Sequence, residues 1–126
     1  MTTAALGTLS QVAVTFRDLP TAIAWYRDVL QLPLMFETGG MAFFAMGGVR
    51  LMMTVPEKPE FDHPASVLYL RVEDIDASYA ELVAHGVAFD DAPHLVGKMG
   101  ATEIWMTFFR DSERHLLAIT EERAVQ

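Results

Sequence analysis

Apolar and polar positions alternate from the start of the chain, with Val12, Val14 and Phe16 set against Gln11, Ala13 and Thr15. That period of two predicts a strand with one face packed on a helix and the other turned elsewhere. Asp18 then stands where a helix cap belongs, Pro20 suits a first turn, and Leu19, Ile23, Tyr26 and Leu30 recur at helical spacing to about residue 31. Pro33 to Glu37, Met41 to Met46 and Val49 to Val55 follow as three strands, separated by Gly39-Gly40 and Gly47-Gly48 turns.

The same pattern returns at an offset of 56: Gln11-Val12-Ala13-Val14-Thr15-Phe16-Arg17-Asp18 is answered by Val67-Leu68-Tyr69-Leu70-Arg71-Val72-Glu73-Asp74. Ile75, Tyr79 and Leu82 match the apolar helix positions, and Gly86 is the glycine expected just past a helix end. One repeat in two copies predicts two equivalent half-sheets around a shared core. The second copy reads as a strand over 66–72, a helix over 74–85, a short strand near 87–90, a long loop over 91–102, and strands over 103–109 and 115–120. Module one spans 8–55 and module two 66–120 of a single 1–126 domain, with the proline-punctuated stretch 56–65 as connector. The class is α+β, built from two tandem βαβββ modules.

With 126 residues and 52% hydrophobic content, the chain is long and apolar enough for one core. It has no cysteine, which removes disulfides, thiolate metal sites and cysteine nucleophiles. The first seven residues lack the basic start and apolar run of a signal peptide, and no apolar run reaches membrane-spanning length, so a cytoplasmic location without membrane association is expected. A formal net charge of -8 repels phosphate backbones, and nucleic acid is not an expected partner. No phosphate loop, serine elbow or paired carboxylate motif is present.

The doubled strand-Asp-helix entry, together with the ending Phe109-Arg110-Asp111-Ser112-Glu113-Arg114-His115, resembles the vicinal oxygen chelate superfamily of glyoxalases, bleomycin-resistance proteins and dioxygenases from about residue 8 to 120. The resemblance implies a curled, cup-shaped mixed sheet with the helices outside. In metal-using members, four strand positions supply ligands, and here they fall on Gln11, Met52, Val67 and Ala118. Only the Gln11 carbonyl resembles a family ligand, so no cofactor is expected and a divalent metal is the alternative. At the closing turn, the family's usual proline, glycine and asparagine are replaced by Ser112, Arg114 and His115.

Strand parity places Gln11, Ala13, Thr15, Thr54, Val67, Tyr69 and Arg71 in the cup, with Val12, Val14, Leu68 and Leu70 under the helices. On the seventh strand the mixed face of Glu103, Trp105 and Thr107 is assigned to the cup. The expected ligand contacts are Gln11, Thr54, Tyr69, Arg71, His94, Glu103 and Trp105, with Glu103 as candidate catalytic group. Tyr69 and Arg71 either hold a ligand carboxylate or phenolate or form a cross-strand pair with Glu103; Glu103 itself either joins His94 at the site or pairs with Arg71 or Lys98. His63 and His115 read as surface groups, His85 as a helix-end charge, and Trp25 as core or interface. Three functions follow: a small-molecule-binding, resistance-type protein without the usual metal; a metal-dependent lyase, isomerase or dioxygenase with a rearranged site of Gln11, His94 and Glu103; or a non-catalytic structural or regulatory partner. A homodimer is expected.

Overall fold

A computed structural model describes residues 6–56, 58–62, 64 and 66–125; His63 lies outside them. Module one runs β1 (Gln11–Thr15), α1 (Leu19–Ala24), β2 (Leu34–Thr38), β3 (Met41–Met46) and β4 (Val49–Thr54). Module two runs β5 (Leu68–Arg71), α2 (Ile75–Ala84), β6 (His94–Met99), β7 (Thr102–Arg110) and β8 (Leu116–Ala124). The βαβββ order thus occurs twice, and each copy forms its own four-stranded mixed sheet, β1-β4-β3-β2 and β5-β8-β7-β6.

Both helices begin as the sequence predicts, because the Asp18 and Asp74 carboxylates accept hydrogen bonds from the Thr21 and Ala77 amides. The first helix changes character beyond Ala24, where Trp25–Val29 form a π-helical turn. The segment 91–102 is not a loop. Residues His94–Met99 make an edge strand paired with β7, and a register shift between Leu95 and Gly97 breaks the alternation that would have revealed it. Near 87–90 only an isolated Phe89–Phe109 bridge forms. Strand β8 runs past residue 120 to Ala124, because its polar end stays in register with β7 from Glu121↔Trp105 to Ala124↔Thr102.

The two modules meet on their helix sides. Phe16, Tyr26, Phe44 and Met53 of module one belong to the same buried cluster as Ile75, Phe109, Leu117 and Ile119 of module two. Trp25 packs on Tyr26 and lies 6.3 Å, centroid to centroid, from Phe109. The Tyr26 hydroxyl donates to the Asp111 carboxylate at 2.7 Å, and Glu113 accepts from the Arg17 and Asp18 amides. His115 is a correction to the surface reading: its ring packs edge-on against Phe16, and its Nδ1 lies 2.9 Å from Asp111. No helix among the described residues is long and apolar enough to cross a membrane.

Candidate functional site

Residues paired across neighbouring strands share a face of the sheet, so the registers decide which side chains line each cup. In module one Ala13 pairs with Met52, Met52 with Phe43, and Gln11 with Arg50. Gln11, Ala13 and Thr15 therefore share a face with Arg50, Met52, Thr54, Met41 and Phe43. The opposite face, with Val14, Leu51, Met53 and Phe44, is buried under α1. In module two Tyr69 pairs with Ala118, Arg71 with Thr120, and Ala118 with Phe108. Its cup face is thus Tyr69, Arg71, Ala118, Thr120, Glu122, Ile104, Met106 and Phe108.

That register corrects one expectation. Glu103, Trp105 and Thr107 lie on the helix side, because Trp105 pairs with Glu121 and Thr107 with Ile119, a buried core residue. The mixed polarity of this face has a structural cause. Trp105 Nε1 donates to Glu103, the Arg123 guanidinium stacks over the Trp105 ring at 4.4 Å, and Glu121 binds Arg123 and the Ile75 amide that begins α2. Hydrogen bonding from Arg123 holds the Glu121 carboxyl below its ordinary range, against the opposing effect of burial. Thr107 is fully buried and donates to the Asp91 carbonyl.

The other expected site residues separate into two groups. Tyr69, Arg71 and His94 lie on the cup side of module two; His94 pairs with Met106 and is exposed, with Nδ1 3.0 Å from the Ala92 carbonyl. Tyr69 is 52% exposed and meets Phe108 edge-on, and Arg71 forms an ion pair with Glu122 rather than Glu103. Gln11 and Thr54 lie on the cup face of module one, where the Thr54 hydroxyl is directed at the Gly40 and Val55 carbonyls. His94 and Glu103 occupy opposite faces of one sheet, and Gln11 belongs to the other, so the structure does not gather the rearranged trio. Among the described residues no cluster of three or more His, Asp or Glu side chains is arranged to hold a metal ion.

Sequence reasoning passed over Arg50. Its Nε and Nη2 donate to Gln11 Oε1 at 3.3 and 3.0 Å, while Gln11 Nε2 points at Met52 Sδ at 3.6 Å. The signal was available in the alternation of Arg50, Met52 and Thr54 along one face of β4. Of the four positions the resemblance marks for metal ligands, Val67 and Ala118 have no side-chain donor and Met52 offers a thioether. The one oxygen donor, on Gln11, is taken by a cation. These residues do not fit a divalent metal.

Two hollows open to solvent are also present, and Thr15 of the cup face borders the first. One of about 410 Å³ is bordered by Phe16, Arg17, Asp62, Glu113 and His115 at the end of β1, and one of about 250 Å³ lies between α2 and residues 30–32.

A family model described as the glyoxalase/bleomycin resistance protein/dioxygenase superfamily matches residues 8–119. The chain belongs to that superfamily. Among solved structures, the superfamily fold recurs in TnmS3, an antibiotic binding protein from Streptomyces sp. CB03234, at 19% identity and a TM-score of 0.76, covering 96% of this chain and 100% of that one. Lactoylglutathione lyase from Agrobacterium tumefaciens is similar at 18% identity and a TM-score of 0.72, covering 94% and 96%. A superfamily member from Sphaerobacter thermophilus matches at 17% identity and 0.74, covering 92% and 98%. No curated protein matches the chain.

Proposed function

We propose that this superfamily member binds a small, partly aromatic molecule in its cup, as a resistance-type or sequestration protein that works without the family's usual metal. The observation that carries this reading is the engagement of Gln11 Oε1 by Arg50, with valine and alanine at two other ligand positions. Met41, Met52, Phe43, Met106, Phe108 and Tyr69 supply deformable and flat apolar surface, the character of a small-molecule site. The likeness to an antibiotic binding protein agrees with it.

Within one chain the two cup faces do not cover one another, because the contacts that join the modules run through the helix sides and strand ends. A second copy supplies the missing wall in this reading, setting the first-module face of one chain against the second-module face of its partner. Cytoplasmic location belongs to the same proposal.

The test has two arms. Protein loaded with nickel, zinc, iron or manganese is dialysed and assayed for metal, then screened by thermal shift against aromatic antibiotics, glutathione adducts and acyl-CoA compounds. Stabilisation by an aromatic compound with no retained metal is the expected result. Stoichiometric metal that survives dialysis and vanishes in Gln11→Ala overturns the proposal in favour of a metal-dependent enzyme.

A further inference from the structure

The cup face of module one carries a single charged side chain, and it is positive. Glu37, the one carboxylate on β2, pairs with Ala42, whose side chain is buried under α1, so it points away from the cup. Strands β1, β3 and β4 contain no carboxylate. In a chain of net charge -8, this face is left with Arg50 among Gln11, Thr15, Thr54, methionines and phenylalanines.

Arg50 is also uncompensated. Arg71 on the other cup face is neutralised by Glu122, Arg27 by Asp28, and Arg123 by Glu121 and Asp76. Among the described residues Arg50 has no ion-pair partner, and its guanidinium donates to the neutral Gln11 amide. That amide orients it. Gln11 Oε1 takes Nε–H and one Nη2–H, which leaves the Nη1–Nη2 edge of the planar fork free for a second acceptor. Two parallel N–H donors on that edge match the two oxygens of a carboxylate. Beside them Phe43 pairs in register with Met52, and the Phe36 ring lies 6.3 Å from Phe43, forming a flat apolar floor.

We infer that Arg50, held by Gln11, is the anion-recognition group of the cup, and that the ligand is a flat apolar molecule carrying a carboxylate. A guanidinium thus takes the electrostatic role that a metal ion plays elsewhere in the superfamily. Binding is its consequence and no bond is made or broken. The inference rests on the cup being the ligand site, and adds the ligand's charge.

The test uses 2-naphthoate and its uncharged counterpart 2-naphthamide as probes, titrated calorimetrically into the full-length protein at low and moderate salt. The naphthoate is expected to bind roughly tenfold more tightly than the amide, with an advantage that shrinks as salt is added. Arg50→Met removes the difference between the probes, and Arg50→Lys retains part of it, because a point charge replaces the fork. Arg50 is exposed, so both variants keep the fold, which an unchanged melting temperature verifies. Methyl spectra of the methionines locate the probe, with Met52 expected to shift. Equal binding of the two probes by the unaltered protein overturns the anion inference but leaves the cup as a ligand site. A preference for naphthoate that survives in Arg50→Met overturns the assignment to Arg50. Binding of neither probe overturns this inference, and the thermal-shift screen then decides the cup separately.

Discussion

Asp111 carries four donors on two carboxylate oxygens: the Tyr26 hydroxyl, His115 Nδ1, and the amides of Glu113 and His115. Its side chain is fully buried, so each of these bonds offsets a desolvation cost that water cannot. Burial and the neighbouring Asp111 carboxylate both push the Tyr26 hydroxyl well above its ordinary range, which favours the protonated form that donates to Asp111. Tyr26→Phe is expected to lower unfolding free energy by about 1–2 kcal/mol in urea titration, without changing the slope. Glu121 gives a pH-dependent counterpart. Its pKa is lowered on folding, so its stabilisation is present above the ordinary glutamate range and is lost as pH falls through the lowered value. Glu121→Gln therefore costs roughly 1–3 kcal/mol at neutral pH, and the gap from the unaltered protein closes in acid. Denaturant midpoints measured from pH 7 down to pH 3 check both halves of this expectation.

At the scale of elements, period-two alternation was enough to find β1, β3, β4 and β5, and aspartate caps marked both helix starts. It failed at β6, where a register shift between Leu95 and Gly97 interrupts the alternation and Gly97 looks like a turn residue. Hydrogen exchange distinguishes strand from loop here: the β6 amides bonded to β7 are expected to exchange more slowly than those of residues 58–62. The turn between β7 and β8 makes a further prediction. Arg114 stands at φ 69°, a left-handed conformation that costs a residue with a Cβ, and at the position where the superfamily usually has glycine. Arg114→Gly is expected to raise stability by about 1 kcal/mol, read as a higher denaturant midpoint with an unchanged slope.

For the whole molecule, one core holds both modules together and leaves two cup faces of different charge, one bearing Arg50 alone and one bearing the Arg71–Glu122 pair. Exposed apolar groups on and around them, including Phe36 at 59% and Tyr69, suit a surface that a second chain covers. Sedimentation is expected to show a dimer of the 14.0 kDa chain, and Tyr69→Glu, which puts a charge on that surface, to shift it toward monomer. A single 14.0 kDa species for the unaltered protein would sink the shared-cup arrangement. The amino-acid sequence alone determined the duplication, the order of elements in the first module, the helix caps and the loss of donor side chains at Val67 and Ala118, because each depends on local spacing or on the chemistry of a single residue. Tertiary structure decided which face of β7 looks into the cup, that His115 is packed against the core, and that Arg50 is aimed by Gln11. Alternation says that a strand has two faces, but only packing says which one is buried, and a charge becomes a binding group only when the fold leaves it without a partner.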